Sequence, residues 1–376
     1  MTHVLIVGAS LAGLTTAESL RAQGFDGRIT LLGAERHSPY SRPVLSKQVL
    51  SGEWEAAPIR GRAELTGLGV TFRFGRRATG LDLRRREVVV GHERLAYDEL
   101  VIATGAVARH PFPASQTLRT IEDAHRLRGR IARADRIAII GAGVLGSEVA
   151  SAARAAGCAV TLIARGEGVS VGTLGLRLSA RVAGLLRENG VELRTRARVV
   201  GVDASGVHLA DGATVDASVV VSAVGCTPAV GWLRGSGLEI ADGVVCDANG
   251  RAADGIHAVG DVAAWTDPAD GRPRRVEHQQ TAILQAQAVA RAVATGAACP
   301  PIEPFFWTTL FGTRILVHGT VHPDAELQVI AGDDDGDRFV LAARREGRVE
   351  ALVGWNMARE FRMARADLLR AEGSLV

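Results

Sequence analysis

Two glycine stretches carry the clearest chemistry in this chain. One is Gly8-Ala9-Ser10-Leu11-Ala12-Gly13 and the other is Gly141-Ala142-Gly143-Val144-Leu145-Gly146. Each follows an apolar run of strand length, Val4 to Val7 and Arg136 to Ile140. Each opens a helical stretch, Leu14 to Ala22 and Ser147 to Ala156. Strand, glycine turn and helix in this order build a dinucleotide site. The first glycine permits the tight turn, the second lets backbone approach a pyrophosphate, and the third allows close helix–strand packing. The helix start then offers N–H groups and a positive dipole end to the phosphates. The first copy has Ser10 where the second has Gly143. After the first helix, the strand Ile29 to Leu32 ends near Glu35, about 20 residues past Gly13, where an acid on the adenosine ribose is expected. After the second helix, the strand Ala159 to Ile163 ends in Ala164-Arg165. An arginine there accommodates a 2′-phosphate, so Arg165 leans slightly toward NADPH and leaves NADH open. Two such sites on one chain point to a pair of nucleotides that exchange electrons, a flavin and a nicotinamide.

Further stretches tie these halves together. A strand running into Ala103-Thr104-Gly105 is echoed by Val219 to Ser222 running on to Gly225. Each reads as the strand that closes a nucleotide domain. Asp261 follows a glycine at the end of another apolar run, where a carboxylate can accept a hydrogen bond from a flavin ribitol; the plainer alternative is a turn residue capping the next segment.

The elements that must position these residues fit a chain of 376 residues, long enough for two or three domains. The hydrophobic share of 47% and charged share of 23% describe an ordinary packed protein. A net charge of +3 gives no basis for nucleic-acid binding. No apolar run reaches the ~18 residues that span a bilayer, so no membrane role is expected. The N-terminus passes straight into the first strand and lacks a signal-peptide core. The four cysteines, Cys158, Cys226, Cys246 and Cys299, are far apart and form no Cys-x-x-Cys pair. A disulfide framework or zinc site is not expected, and a cytoplasmic location fits. Lysine and arginine together number 44, yet only one of them is lysine, Lys47, in Pro39-Tyr40-Ser41-Arg42-Pro43-Val44-Leu45-Ser46-Lys47. A compact ammonium on a flexible stem does what a planar guanidinium cannot.

Taken with "PYSRPVLSK", "LVIATGA", "LRTIEDAHRLR", "VGCTPAV", "IHAVGDVAAW" and "EHQQTAILQAQ", the two turns give the chain a specific resemblance. It is similar to the FAD-dependent ferredoxin reductases of bacterial oxygenase systems, from about residue 3 to about residue 360. They lie within the pyridine nucleotide–disulfide oxidoreductase superfamily, and this chain lacks the redox disulfide. The resemblance implies an α/β fold with two Rossmann-like dinucleotide-binding domains, one inserted in the other, plus a small α+β C-terminal domain. FAD is expected on residues 1–109 and 244–300, NAD(P)H on 110–243, and an interface domain over 301–376. Short strands, Arg338 to Arg344 and Arg348 to Val353, and a helical tail, Glu360 to Ala371, suit that last domain. The resemblance places Arg42 and Lys47 near the FAD and Glu148 near the nicotinamide, with Lys47 and Glu148 as catalytic candidates. A helix beginning near Glu277-His278-Gln279 is expected to aim its positive end at the flavin pyrimidine ring.

The implied activity passes electrons from reduced nicotinamide through FAD to an iron–sulfur ferredoxin that serves an oxygenase. The protein is expected as a monomer or homodimer. No cysteine lies between Ser41 and Leu50, so electrons must leave the flavin without a thiol relay. Besides Arg165, two departures stand out. Gln279 replaces a common Trp, and Phe306-Trp307-Thr308-Thr309-Leu310 replaces "FWSDQ". Both are expected where the acceptor or nicotinamide approaches. They keep a second reading open, a flavoenzyme that acts directly on a small organic substrate in a specialised biosynthetic pathway. A third is a flavoprotein whose nicotinamide-driven state controls a partner.

Overall fold

A computed structural model of the chain describes all residues except 171–173, 269, 300–301 and 374–376. The expected C-terminal domain therefore has its first residue and last three outside the described residues. The chain forms two compact units. One comprises 1–41, 56–107 and 226–302; the other comprises 42–55, 108–225 and 303–376. The segment 42–55 thus groups with residues 108–225, and 226–243 groups with the unit that contains the N-terminus.

The first unit is built on a six-stranded sheet in the order Arg251–Ala253, Ile256–Ala258, Glu99–Ile102, His3–Val7, Arg28–Leu32, Thr71–Arg73. All neighbours are parallel except the antiparallel edge pair Arg251–Ala253 and Ile256–Ala258. His3–Val7 is central, and Val4, Leu5 and Ile6 are wholly buried. Continuous Val, Ile and Leu are what a parallel strand covered on both faces requires. Burial of each such side chain contributes about 1.5–3 kcal/mol. The helix Leu11–Ala22 packs against the long helix Gln279–Thr295, which stops at Gly296 in a left-handed conformation, φ 73°. Glycine adopts that geometry without a steric penalty.

The second unit holds a four-stranded parallel sheet in the order Val191–Arg194, Ala159–Ile163, Arg136–Ile140, Val219–Ser222. It also holds a five-stranded antiparallel sheet, Phe305–Leu310, Thr313–Gly319, Arg348–Trp355, Arg338–Arg345, Glu326–Asp333. The helix Ala358–Gly373 packs on that sheet through Phe361, buried among Leu316, Val340 and Leu352. The expected strands are present and extend slightly further, to Arg345 and Trp355. No helix among the described residues is long and apolar enough to cross a membrane.

Candidate functional site

In the first unit, the turn after His3–Val7 is closed by the Gly8 N–H donating to Leu32 O at 2.8 Å. Gly8 has φ 125°, and a Cβ on it would fall 2.0 Å from the carbonyl oxygen of Ala103. A Cβ on Gly13 would fall 1.9 Å from Gly8 O. Neither position tolerates a side chain, because backbone fills the space. Leu11–Ala22 begins at Ser10 with no side-chain cap and no acid in its first turn. Its leading N–H groups keep the capacity for an anion.

Gly260, φ 73°, lies against Ala12: a Cβ there would approach the Ala12 Cβ to 3.1 Å. Its N–H donates to Gln285 Oε1 at 2.8 Å. Asp261 therefore sits on a turn beside the first glycine stretch. The Glu35 carboxylate accepts the Tyr40 hydroxyl at 2.5 Å. Thr104 Oγ1 donates to Ala229 O at 3.0 Å, and Gly105 O accepts the Ala229 N–H at 2.9 Å, so this closing segment is fastened to the chain beyond Gly225.

The long helix starts at Gln279 with His278 as its N-cap, inside the stretch where the sequence places its beginning. Glu277 lies outside it, exposed, and binds the Arg275 guanidinium. Burial holds the His278 imidazole below its ordinary pKa, against the pull of Asp261 and Glu277. Thr281 is buried in the first turn, and its hydroxyl has no partner among the described residues. An orphaned hydroxyl at an uncapped helix start, two crowded glycines and a ribose-type acid fit a dinucleotide such as FAD.

The second unit repeats the turn contact for contact. Gly141 has φ 110°, its N–H donates to Ile163 O at 2.8 Å, and a Cβ would fall 2.3 Å from Ala223 O. A Cβ on Gly146 would fall 1.9 Å from Gly141 O. Gly143 begins the helix Val144–Ala155, again with no side-chain cap and no acid in the first turn. Gly225, exposed with φ 89°, accepts the Arg109 N–H at 2.9 Å. Arg165 is exposed; beyond it, Glu167 pairs with Arg196 at 2.8 Å, and Gly166 O accepts the Arg196 N–H at 2.7 Å. Two guanidiniums and one carboxylate at the end of Ala159–Ile163 suit a phosphorylated ribose.

The same unit brings the two catalytic candidates together. Lys47 lies on a single wide turn, Leu45–Val49, closed by the Val49 N–H donating to Val44 O at 3.0 Å. Glu148 lies on Val144–Ala155, one turn past the glycines, and is 6% exposed. Lys47 Nζ donates to Glu148 Oε1 at 2.6 Å and to Pro43 O at 3.0 Å, and stands 5.0 Å from the centre of the Trp307 ring. Ser46 Oγ donates to Glu148 Oε2 at 2.5 Å, and Thr308 Oγ1 donates to Oε1 at 2.6 Å. Arg42 stands slightly apart, its guanidinium donating to Arg119 O at 2.6 Å.

Ser46, Trp307 and Thr308 have no assigned role in the sequence reading. The available signals are the adjacency of Ser46 to Lys47 and the departure at 306–310. Within that departure, Thr308 and Leu310 are both 1% exposed, and Thr309 alone of the three is partly open. None of the four cysteines is in a disulfide; burial raises the thiol pKa of Cys158, Cys299 and Cys246, the last to about 12.

Two uncapped glycine-turn helices on parallel sheets are the frame of a two-dinucleotide oxidoreductase. Residues 2–286 match the model of the pyridine nucleotide-disulphide oxidoreductase family, and the chain belongs to that family. It is 37% identical over 375 residues to the benzene 1,2-dioxygenase system ferredoxin–NAD(+) reductase subunit of Pseudomonas putida, covering 96% of this chain and 91% of that one. It is 36% identical over 374 residues to the biphenyl dioxygenase system ferredoxin–NAD(+) reductase component of Paraburkholderia xenovorans (strain LB400), covering 96% and 91%. Among solved structures, a covalent putidaredoxin reductase–putidaredoxin complex superimposes with a TM-score of 0.91 at 28% identity, covering 98% of this chain and 93% of that one.

Proposed function

We propose that this protein is a cytoplasmic FAD-dependent NAD(P)H:ferredoxin reductase that supplies electrons to an oxygenase. In balance, one hydride leaves the reduced nicotinamide, two ferredoxins each gain one electron, and one proton is released. FAD, when bound, supplies two-electron acceptance and one-electron release. The observation that carries the reading is the duplicated turn, with Gly8 crowded by Ala103 and Gly141 by Ala223 at equivalent backbone positions.

In this reading Gly8, Ser10, Ala12 and Gly13 receive the FAD pyrophosphate, Glu35 the adenosine ribose, and Asp261 the ribitol. Ala103, Thr104 and Gly105 close that cradle, and the Gln279–Thr295 helix start presents its positive end to the flavin. Gly141, Gly143 and Gly146 receive the nicotinamide dinucleotide, Gly225 borders it, and Arg165 accepts a 2′-phosphate. Lys47 and Glu148 serve the reacting end, and Lys47 supplies positive charge where negative charge develops. Thr308 does not favour a small-substrate enzyme, because its hydroxyl is committed to Glu148 and buried.

The test is ferredoxin-dependent turnover. The purified protein, NADPH or NADH, an oxygenase-type ferredoxin and cytochrome c as terminal acceptor should give cytochrome reduction that requires every component. Consumption of a metabolite without a carrier protein would replace this reading.

A further inference from the structure

Glu148 has two carboxylate oxygens, and three side chains donate to them: Ser46 to Oε2, Lys47 and Thr308 to Oε1. Glu148 is 6% exposed, Ser46 is 4% exposed and Thr308 is 1% exposed. Only Lys47, with 12% of its side chain accessible, keeps appreciable surface. The three N–H donors of its ammonium are divided between Glu148 Oε1, Pro43 O and the face of Trp307.

Its place is therefore set by a carboxylate that has little freedom of its own. Strand Phe305–Leu310 brings in Thr308 on one side, and the wide turn Leu45–Val49 brings in Ser46 on the other. A guanidinium fork would take both carboxylate oxygens at once and compete with Ser46 and Thr308. That geometry gives a physical reason for a lysine in a chain otherwise supplied with arginine.

We infer that Ser46 and Thr308 are positioning residues that clamp Glu148 from opposite sides, and through it hold the Lys47 ammonium where the nicotinamide reacts. The inference rests on the proposed reductase function. Thr308 is too deeply buried to touch a bound molecule, so its effect passes through Glu148. The serine-to-threonine departure in this strand keeps the hydroxyl that the clamp needs, while Leu310 in the same strand has become core.

The single lysine makes the clamp directly observable. Protein labelled with 13C,15N-lysine gives one lysine side-chain resonance set, from Lys47. Thr308→Val keeps the shape and deletes the hydroxyl; it should shift that resonance and slow anaerobic flavin reduction by NAD(P)H about tenfold, with nucleotide affinity unchanged. Thr308→Ser should restore both. Ser46→Ala, on the other carboxylate oxygen, should act in the same direction and stands in if Thr308→Val does not fold. An unmoved lysine resonance, an unchanged reduction rate, or failure of Thr308→Ser to restore them would overturn the clamp. A protein that takes up no flavin would overturn the proposed function instead, and the lysine resonance would then decide the clamp.

Discussion

The turns at Gly8–Gly13 and Gly141–Gly146 make the same backbone contacts and differ in what their surroundings offer a ligand. In each, the first glycine donates to the end of the second strand at 2.8 Å, and the closing strand donates back to the first at 2.7 Å. The difference begins where the second strand ends: Glu35, held by Tyr40, in the first unit; Arg165 with Glu167 and Arg196 in the second. It continues along the helix. Two residues past the last glycine, Leu11–Ala22 carries Thr15 where Val144–Ala155 carries Glu148. In the proposed function one backbone device serves two nucleotides, and the side chains just outside it set which nucleotide and which chemistry.

The largest test separates the two turns. Gly8→Ala places a Cβ against Ala103 O, and Gly141→Ala places one against Ala223 O, at backbone angles that L-residues rarely adopt. Each local structure should lose on the order of 4 kcal/mol. Gly8→Ala should give protein without flavin. Gly141→Ala should keep the flavin and lose its reduction by nicotinamide. Flavin content and stopped-flow reduction read the two outcomes, and a variant that lost both would break the one-nucleotide-per-turn assignment.

A smaller effect is expected at the strand ends. Arg165→Glu should lower the NADPH-to-NADH ratio of kcat/KM about tenfold, the ~1.4 kcal/mol of one charge-assisted contact. An unchanged ratio would remove Arg165 from the site. Smaller again is Ser10→Gly, which makes the first turn match the second at the middle position. Ser10 makes no side-chain cap, so flavin affinity should stay within about threefold.

The least effect concerns the strands behind the turns. His3 begins the first strand, buried, with Nδ1 accepting from Arg28 and Nε2 facing the Thr30 hydroxyl, both at 2.9 Å. Burial first, then the Arg28 guanidinium, holds its pKa below the ordinary value of 6.5. The unfolded chain therefore binds a proton that the folded one resists. The His3 contribution is complete above pH 6.5 and is lost as pH falls toward the folded value. The matching position of the second unit holds Arg136 instead of a histidine. Hydrogen exchange between pH 7 and 5.5, corrected for intrinsic rates, should show loss of protection in His3–Val7 and not in Arg136–Ile140. His3→Gln should remove the difference.

Much of this comparison is legible in the sequence because both turns are local. Arg136–Ile140 and Ala159–Ile163 fall where the apolar runs place them, and Gly8, Gly13, Gly141 and Gly146 are glycines for reasons that strand–turn–helix spacing reveals. What is not local is harder to read. The Glu148 clamp draws Ser46 from 102 residues away and Thr308 from 160, separations that no periodicity encodes. The start of Gln279–Thr295 falls within the polar stretch that announces it, but the pairing of Glu277 with Arg275, outside the helix, is not legible from periodicity. The segment 42–55 is adjacent in sequence to the first unit and packs with the second, against helices Ile121–Ile131 and Val144–Ala155.

Whether the two turns hold two nucleotides that exchange electrons is decided by anaerobic stopped-flow mixing of the FAD-loaded protein with NADPH and, in parallel, NADH. Rapid bleaching of the flavin absorbance is expected, and the faster donor decides what Arg165 contributes. Absence of bleaching with both donors would contradict the exchange.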